Sequence, residues 1–122
     1  MGSVNAPREV SVMEVKTMDK NDYEIARELK QRLAEIVPLL DFRVFGSRAR
    51  GGADEFSDMD VFLEVETINR DLKKKIRDIV WEVGFKHSLY ISPLIFTRYE
   101  IEESPLRASP LVHNIAEEGV QV

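Results

Sequence analysis

A glycine-bearing turn between two apolar runs constrains this chain more than any other feature. The turn reads Gly46-Ser47-Arg48-Ala49-Arg50-Gly51-Gly52, and after a short acidic link the second run opens as Ser57-Asp58-Met59-Asp60. Leu39 to Phe45 reads as a short buried strand that Gly46 breaks. Met59, Val61, Leu63 and Val65 alternate with Asp58, Asp60, Phe62 and Glu64, which predicts a second strand. Its polar face opens with two carboxylates, because strand side chains two apart share a face. Met59 between them is expected to point into the core.

The rest of the chain supplies elements to pack against those strands. Ile25, Leu29, Leu33 and Ile36 recur at spacings of three and four, predicting a helix over Asn21 to Val37. Asn21 or Asp22 can cap it, and Pro38 follows its end. Asn69 is expected to cap a second helix carrying Leu72, Ile76, Ile79, Val80 and Val83, closed by Gly84. Leu89 to Phe96 reads as a third strand whose Pro93 points to an edge position or a bulge. Pro110 to Glu118 reads as a last short helix ended by Gly119, with Val120 to Val122 able to add a terminal strand. Ser47 to Gly51 looks like the first turn of a short helix. The alternation of helices and strands predicts an α/β (α+β) fold with a small mixed sheet flanked by helices. Residues 1–18, with Val10, Val12 and Val15, read as a loose arm or a short strand, and 19–122 as a single domain.

Composition narrows the function. With 122 residues, little is left over for a separate substrate-binding domain. The net charge of -5 opposes general attraction to nucleic acid, so a nucleic-acid partner is not expected. The absence of cysteine excludes a disulfide framework, a thiolate zinc site and a cysteine nucleophile. No apolar run is long enough for a membrane span, the N-terminus lacks a secretory pattern, and Ala6 stands where a myristoylation signal wants Ser or Thr. A cytoplasmic protein is expected.

The turn and the two aspartates suit one chemistry. A triphosphate brings about four negative charges, and a helix start after a glycine offers free N–H groups and a positive dipole end. Gly46 permits close backbone approach, and Ser47 adds a hydroxyl donor. Asp58 and Asp60, with phosphate oxygens and waters, suit octahedral Mg²⁺. Two neighbouring like charges repel unless a cation or an arginine compensates them, which favours a metal site over a solvated strand start. Arg48 and Arg50 are either ordinary surface charges or phosphate contacts. Lys73 to Lys75 read as the wet face of a helix, His87 and His113 as structural, and Trp81 and the phenylalanines as core.

Gly46-Ser47, ten intervening residues and Asp58-x-Asp60 resemble the signature of the DNA polymerase beta-like nucleotidyltransferase superfamily. The fuller strings Phe45 to Gly51 and Ser57 to Leu63, with Ser109-Pro-Leu-Val-His-Asn-Ile-Ala-Glu-Glu-Gly119, look like its minimal nucleotidyltransferase branch. The resemblance implies a nucleotidyltransferase-like fold and transfer of AMP from Mg-ATP, or of another nucleotide, to a hydroxyl. Asp58 and Asp60 would be the catalytic metal ligands, and Gly46 and Ser47 would hold the phosphates of the nucleotide, beside Arg48 and Arg50 as the candidate nucleotide contacts that their place next to the turn makes them. It also implies a HEPN-type helical partner and an antitoxin role; a homodimer is allowed as well. Active members of the family add a third carboxylate from the strand after the middle helix. Leu89 to Phe96 holds no Asp or Glu, so Tyr90 or Ser92 is expected at that position. The alternative is a catalytically weak module of the same fold that acts by binding its partner.

Overall fold

The computed structural model describes residues 17–51 and 56–122. The expected arm over 1–18 falls almost wholly outside these residues, as does most of the link between Gly51 and Ser57.

A mixed sheet is built from β1 (Asp41–Phe45), β2 (Met59–Val65), β3 (Ile91–Thr97) and β4 (Val120–Gln121), in the spatial order β3-β2-β1-β4. β1 runs antiparallel to β2 and β4, whereas β2 and β3 are parallel. A parallel pair needs a crossover. Here it is α2 (Arg70–Lys86), which follows α1 (Lys20–Ala34). Two short helical pieces, α3 (Arg98–Glu102) and a 3₁₀ turn at Pro105–Ala108, lead to α4 (Pro110–Glu118). The α/β (α+β) architecture expected from the alternation is therefore the one observed.

The core lies between one face of the sheet and the apolar stripes of α1 and α2. Ile25, Leu29 and Leu33 of α1 and Ile76, Val80 and Val83 of α2 close over Val44, Met59, Val61, Leu63 and Val65, all buried. Met59 and its alternate partners point inward as the period of two requires. Asp60, Phe62 and Glu64 take the opposite face, where α4 contributes buried Val112 and Ile115.

Several local expectations change. α1 is capped by Asp19, whose carboxylate accepts from the Asn21 and Asp22 backbone N–H groups. Asp22 is not the cap because its side chain is turned into the fold. The helix ends at Ala34, so Ile36 leaves the stripe and is exposed while Val37 is buried. α2 begins at the expected cap, with Asn69 Oδ1 accepting from Leu72 N–H, but it passes through Gly84 to Lys86. The left-handed residue beyond it is Ser88, at φ 53°. Pro93 sits in β3, the outermost strand among the described residues, where its missing N–H costs no ladder bond to β2. Trp81, Phe85 and Phe56 are largely exposed, against the expectation of core. Trp81 and Phe85 lie on the side of α2 that reaches past β3, where no further strand among the described residues covers them.

Candidate functional site

The glycine turn follows β1 directly. Gly46 adopts φ +78°, a left-handed conformation that glycine reaches without a Cβ penalty. Arg50 N–H then donates to Ser47 C=O and Gly51 N–H to Arg48 C=O, both at 3.2 Å. These are i→i+3 bonds, and Gly51 at φ +74° ends them after one turn. The expected start of an α-helix is thus a pair of tight turns. Its N–H groups, not a helix dipole, are what it can offer an anion.

Register brings the turn to the aspartates. Phe45 pairs with Asp60, so Gly46 lies at the carboxylate. A Cβ on Gly46 would stand 2.5 Å from Asp60 Oδ2. Backbone and carboxylate can approach this closely only because residue 46 has no side chain. Asp58 is exposed just ahead of the strand and Asp60 is half-buried on it, with buried Met59 between them. Burial, and then the neighbouring charge of Asp58, hold the Asp60 carboxyl above the usual carboxylate range. Neither carboxylate has a hydrogen-bond donor or a cation among the described residues.

Those facts bear on a divalent ion. No group of three or more metal-ligating side chains occurs among the described residues. The chain offers two carboxylate arms, one of them half-desolvated and repelled by the other. That donor set fits a hard cation taking its remaining oxygens from phosphate and water.

The two arginines of the turn separate. Arg48 points inward and is buried, with Nη1 donating to both carboxylate oxygens of Asp22 at 2.8 and 3.0 Å. Its Nε donates to the Ser57 carbonyl at 2.8 Å. Arg48 therefore ties the turn to α1 and to the residue preceding Asp58, and its side chain faces the fold instead of a ligand. Arg50 is exposed. Asp22 was missed in the sequence, although a signal existed. It continues the stripe of Ile25, Leu29 and Leu33, and an acid on an apolar stripe asks for a buried partner.

β3 flanks Asp60 on the other side. Ser92 is directly opposite Asp60 in the parallel ladder. Of Tyr90 and Ser92, it is therefore Ser92 that stands beside Asp60, and Tyr90 is the exposed residue at the strand's mouth, its C=O accepting from Met59 N–H. From Ser92 a groove of about 850 Å³ runs outward along α2, walled by Trp81, Phe85, Leu89 and Tyr90. The Trp81 and Phe85 rings stack at 5.0 Å, with 10° between their planes. His87 is structural as expected, its Nε2 lying 2.9 Å from Glu28 Oε1. Lys73 to Lys75 are exposed on α2, also as expected.

Comparison with known proteins adds to this geometry. The family model described as "Nucleotidyltransferase domain" matches residues 26–121. Two curated proteins of the archaeon Methanocaldococcus jannaschii resemble the chain, each named "Putative protein adenylyltransferase". The first, MJ1305, is 33% identical over 75 residues, covering 59% of this chain and 50% of the relative. The second, MJ0141, is 38% identical over 80 residues, covering 62% of this chain and 79% of the relative. The chain thus spans about half the length of the first relative and most of the second.

Proposed function

This chain belongs to the nucleotidyltransferase domain family, and from that premise we propose that it transfers AMP from Mg-ATP to a hydroxyl on a protein partner. The observation that carries the reading is the junction of Gly46 with Asp60. A backbone able to meet phosphate lies against two carboxylates that no described cation compensates. The protein targets in the names of both relatives support a protein acceptor. So does the groove that opens at Ser92 under exposed aromatic rings.

Asp58 and Asp60 would hold Mg²⁺, which when bound neutralises phosphate charge and stabilises the leaving pyrophosphate. Gly46 and Ser47 cradle the phosphates through backbone N–H groups and the Ser47 hydroxyl, and exposed Arg50 adds a cation. Arg48 holds the turn from beneath. The acceptor oxygen attacks the α-phosphorus, the bond to the β-phosphate oxygen breaks, and pyrophosphate departs. The acceptor proton passes to solvent, because Ser92 offers no carboxylate to take it. In-line attack places acceptor and pyrophosphate on opposite sides of the phosphorus.

The partner is a HEPN-type helical protein, this chain acting as the antitoxin of a cytoplasmic toxin–antitoxin pair. No helix among the described residues is long and apolar enough to cross a membrane. The test is incubation with ATP labelled at the α-phosphate, Mg²⁺ and the product of the adjacent gene. Label should pass to that protein with the wild type and fail with Asp58→Ala and with Asp60→Ala. Absence of label from the wild type rejects catalysis.

One observation favours a second reading. The position opposite Asp60 is Ser92, not an acid, and the loss of a general base costs about 10²–10⁴ in rate. A module of this kind would neutralise its partner by binding alone. Asp60→Ala would then remain fully effective, and no ATP would be needed.

A further inference from the structure

The C-terminal stretch Ser109 to Gly119 ends beside the glycine turn. α4 is held against β1 from two sides. Arg43 Nη1 donates to the Ala116 carbonyl at 2.9 Å, and Val120 pairs with Val44. Between α4 and the end of β1 lies a cleft of about 170 Å³, bounded by Phe45, Gly46, Arg50, Leu111, Asn114 and Glu118. Leu111, Asn114 and Glu118 follow at intervals of three and four, so one face of α4 looks into it.

The position of the cleft is what gives it meaning. Gly46 borders it on one side and abuts Asp60 on the other. A nucleotide with its phosphates at Gly46, Ser47 and Arg50 can extend toward α4 or toward β3. The β3 side is the wide groove with stacked aromatic rings; the α4 side is narrow and carries two polar side chains of α4 across from Arg50. The narrow side is too small for a whole nucleotide, since sites that enclose drug-sized ligands run to roughly 300–1,000 Å³. It has the dimensions for one end of a ligand.

We propose that this cleft receives the nucleoside end of the donor nucleotide, with α4 as the element that distinguishes a nucleotide from a bare polyphosphate. The proposal rests on the reading of the glycine turn as the phosphate site. Phe45 and Leu111 present apolar surface to a base. The Asn114 amide supplies both a donor and an acceptor, as the edge of a base requires. The Glu118 carboxylate accepts only, and the ribose 2′- and 3′-hydroxyls are donors suited to it. A carboxylate there would repel a phosphate, so Glu118 argues against the cleft being one more anion subsite. With the donor lying toward α4, the groove beyond Ser92 is left to the acceptor.

The test compares Mg-ATP with Mg-tripolyphosphate by calorimetry. Wild type should bind Mg-ATP more tightly by about tenfold or more, the equivalent of one or two added hydrogen bonds. Asn114→Ala with Glu118→Gln should erase that margin and leave tripolyphosphate affinity unchanged, which also shows that the variant is folded. Glu118→Gln alone should narrow the margin for ATP and not for 2′,3′-dideoxy-ATP. Equal wild-type affinity for the two polyphosphates overturns the proposal while leaving the phosphate site standing. A margin untouched by the substitutions overturns it too. Failure of wild type to bind either compound removes the phosphate site, and this proposal with it.

Discussion

Arg48 and Asp22 form a buried ion pair in which one guanidinium nitrogen reaches both carboxylate oxygens, at 2.8 and 3.0 Å. The same guanidinium holds the Ser57 carbonyl through Nε. Three segments, α1, the glycine turn and the approach to Asp58, are thereby fixed to one another. Removing one partner strands a charge in a place water barely reaches, at a cost of about 3–5 kcal/mol. Asp22→Ala and Arg48→Ala should each lose stability of that order in urea unfolding. The double substitution should cost less than the sum, and a strictly additive double variant would show that the pair is not coupled.

Gly46 tests the contact between turn and strand. An alanine there meets Asp60 Oδ2 at 2.5 Å and must also hold φ +78°. Gly46→Ala should cost about 1–3 kcal/mol in stability. It should also abolish Mg-ATP binding at temperatures where the variant is still folded. Nucleotide affinity equal to wild type in a folded Gly46→Ala protein would contradict the proposed phosphate cradle.

Asp60 is held above the usual carboxylate range by burial first and by Asp58 second. In the pH interval between the ordinary value and the raised one, the folded chain binds more protons than the unfolded chain. Stability without metal should therefore fall as pH rises through that interval. Asp60→Asn should remove this fall and raise the melting temperature at neutral pH. Solvent screening keeps the gain below about 1 kcal/mol. The same variant should lose Mg²⁺-dependent nucleotide binding. A melting temperature that drops in Asp60→Asn would mean that the carboxylate stabilises the fold.

A cation competes with the proton on Asp60. Mg²⁺-dependent ATP binding should accordingly strengthen as pH rises through the interval in which Asp60 ionises. Asp58→Asn should move the midpoint of that profile to lower pH, because the second cause of the shift is removed. It should also weaken binding at neutral pH. Titration at a series of pH values separates the two effects, and a midpoint unmoved by Asp58→Asn would leave burial as its sole cause.

Ser92 faces Asp60 across the parallel ladder, so a carboxylate introduced there would join the pair. If transfer is slow for want of a third acid, Ser92→Asp should raise the rate of label transfer by about 10²-fold or more. It should lower stability in the absence of Mg²⁺, since three like charges would then share one face. A variant that binds Mg²⁺ but transfers no faster would show that chemistry is not limited by that position.

The period of two over Met59 to Val65 determined by itself that Asp58 and Asp60 emerge together while Met59 is buried. The three–four spacing of Ile25, Leu29 and Leu33 determined α1, and Pro93 pointed to an edge position or a bulge in β3. These are local rules, in which each side chain's direction follows from its own backbone. Direction within an element did not reveal what lies across from it. That Arg48 turns away from the site toward Asp22 depended on a buried acid 26 residues earlier in the chain. That Ser92, not Tyr90, stands beside Asp60 depended on the register of a parallel pair whose strands are joined through α2. Trp81 and Phe85 are apolar by sequence, yet they are exposed, because no strand beyond β3 covers them among the described residues. Local sequence sets the direction of a side chain but not its neighbour across the fold, so long-range packing decided which of the marked residues meet.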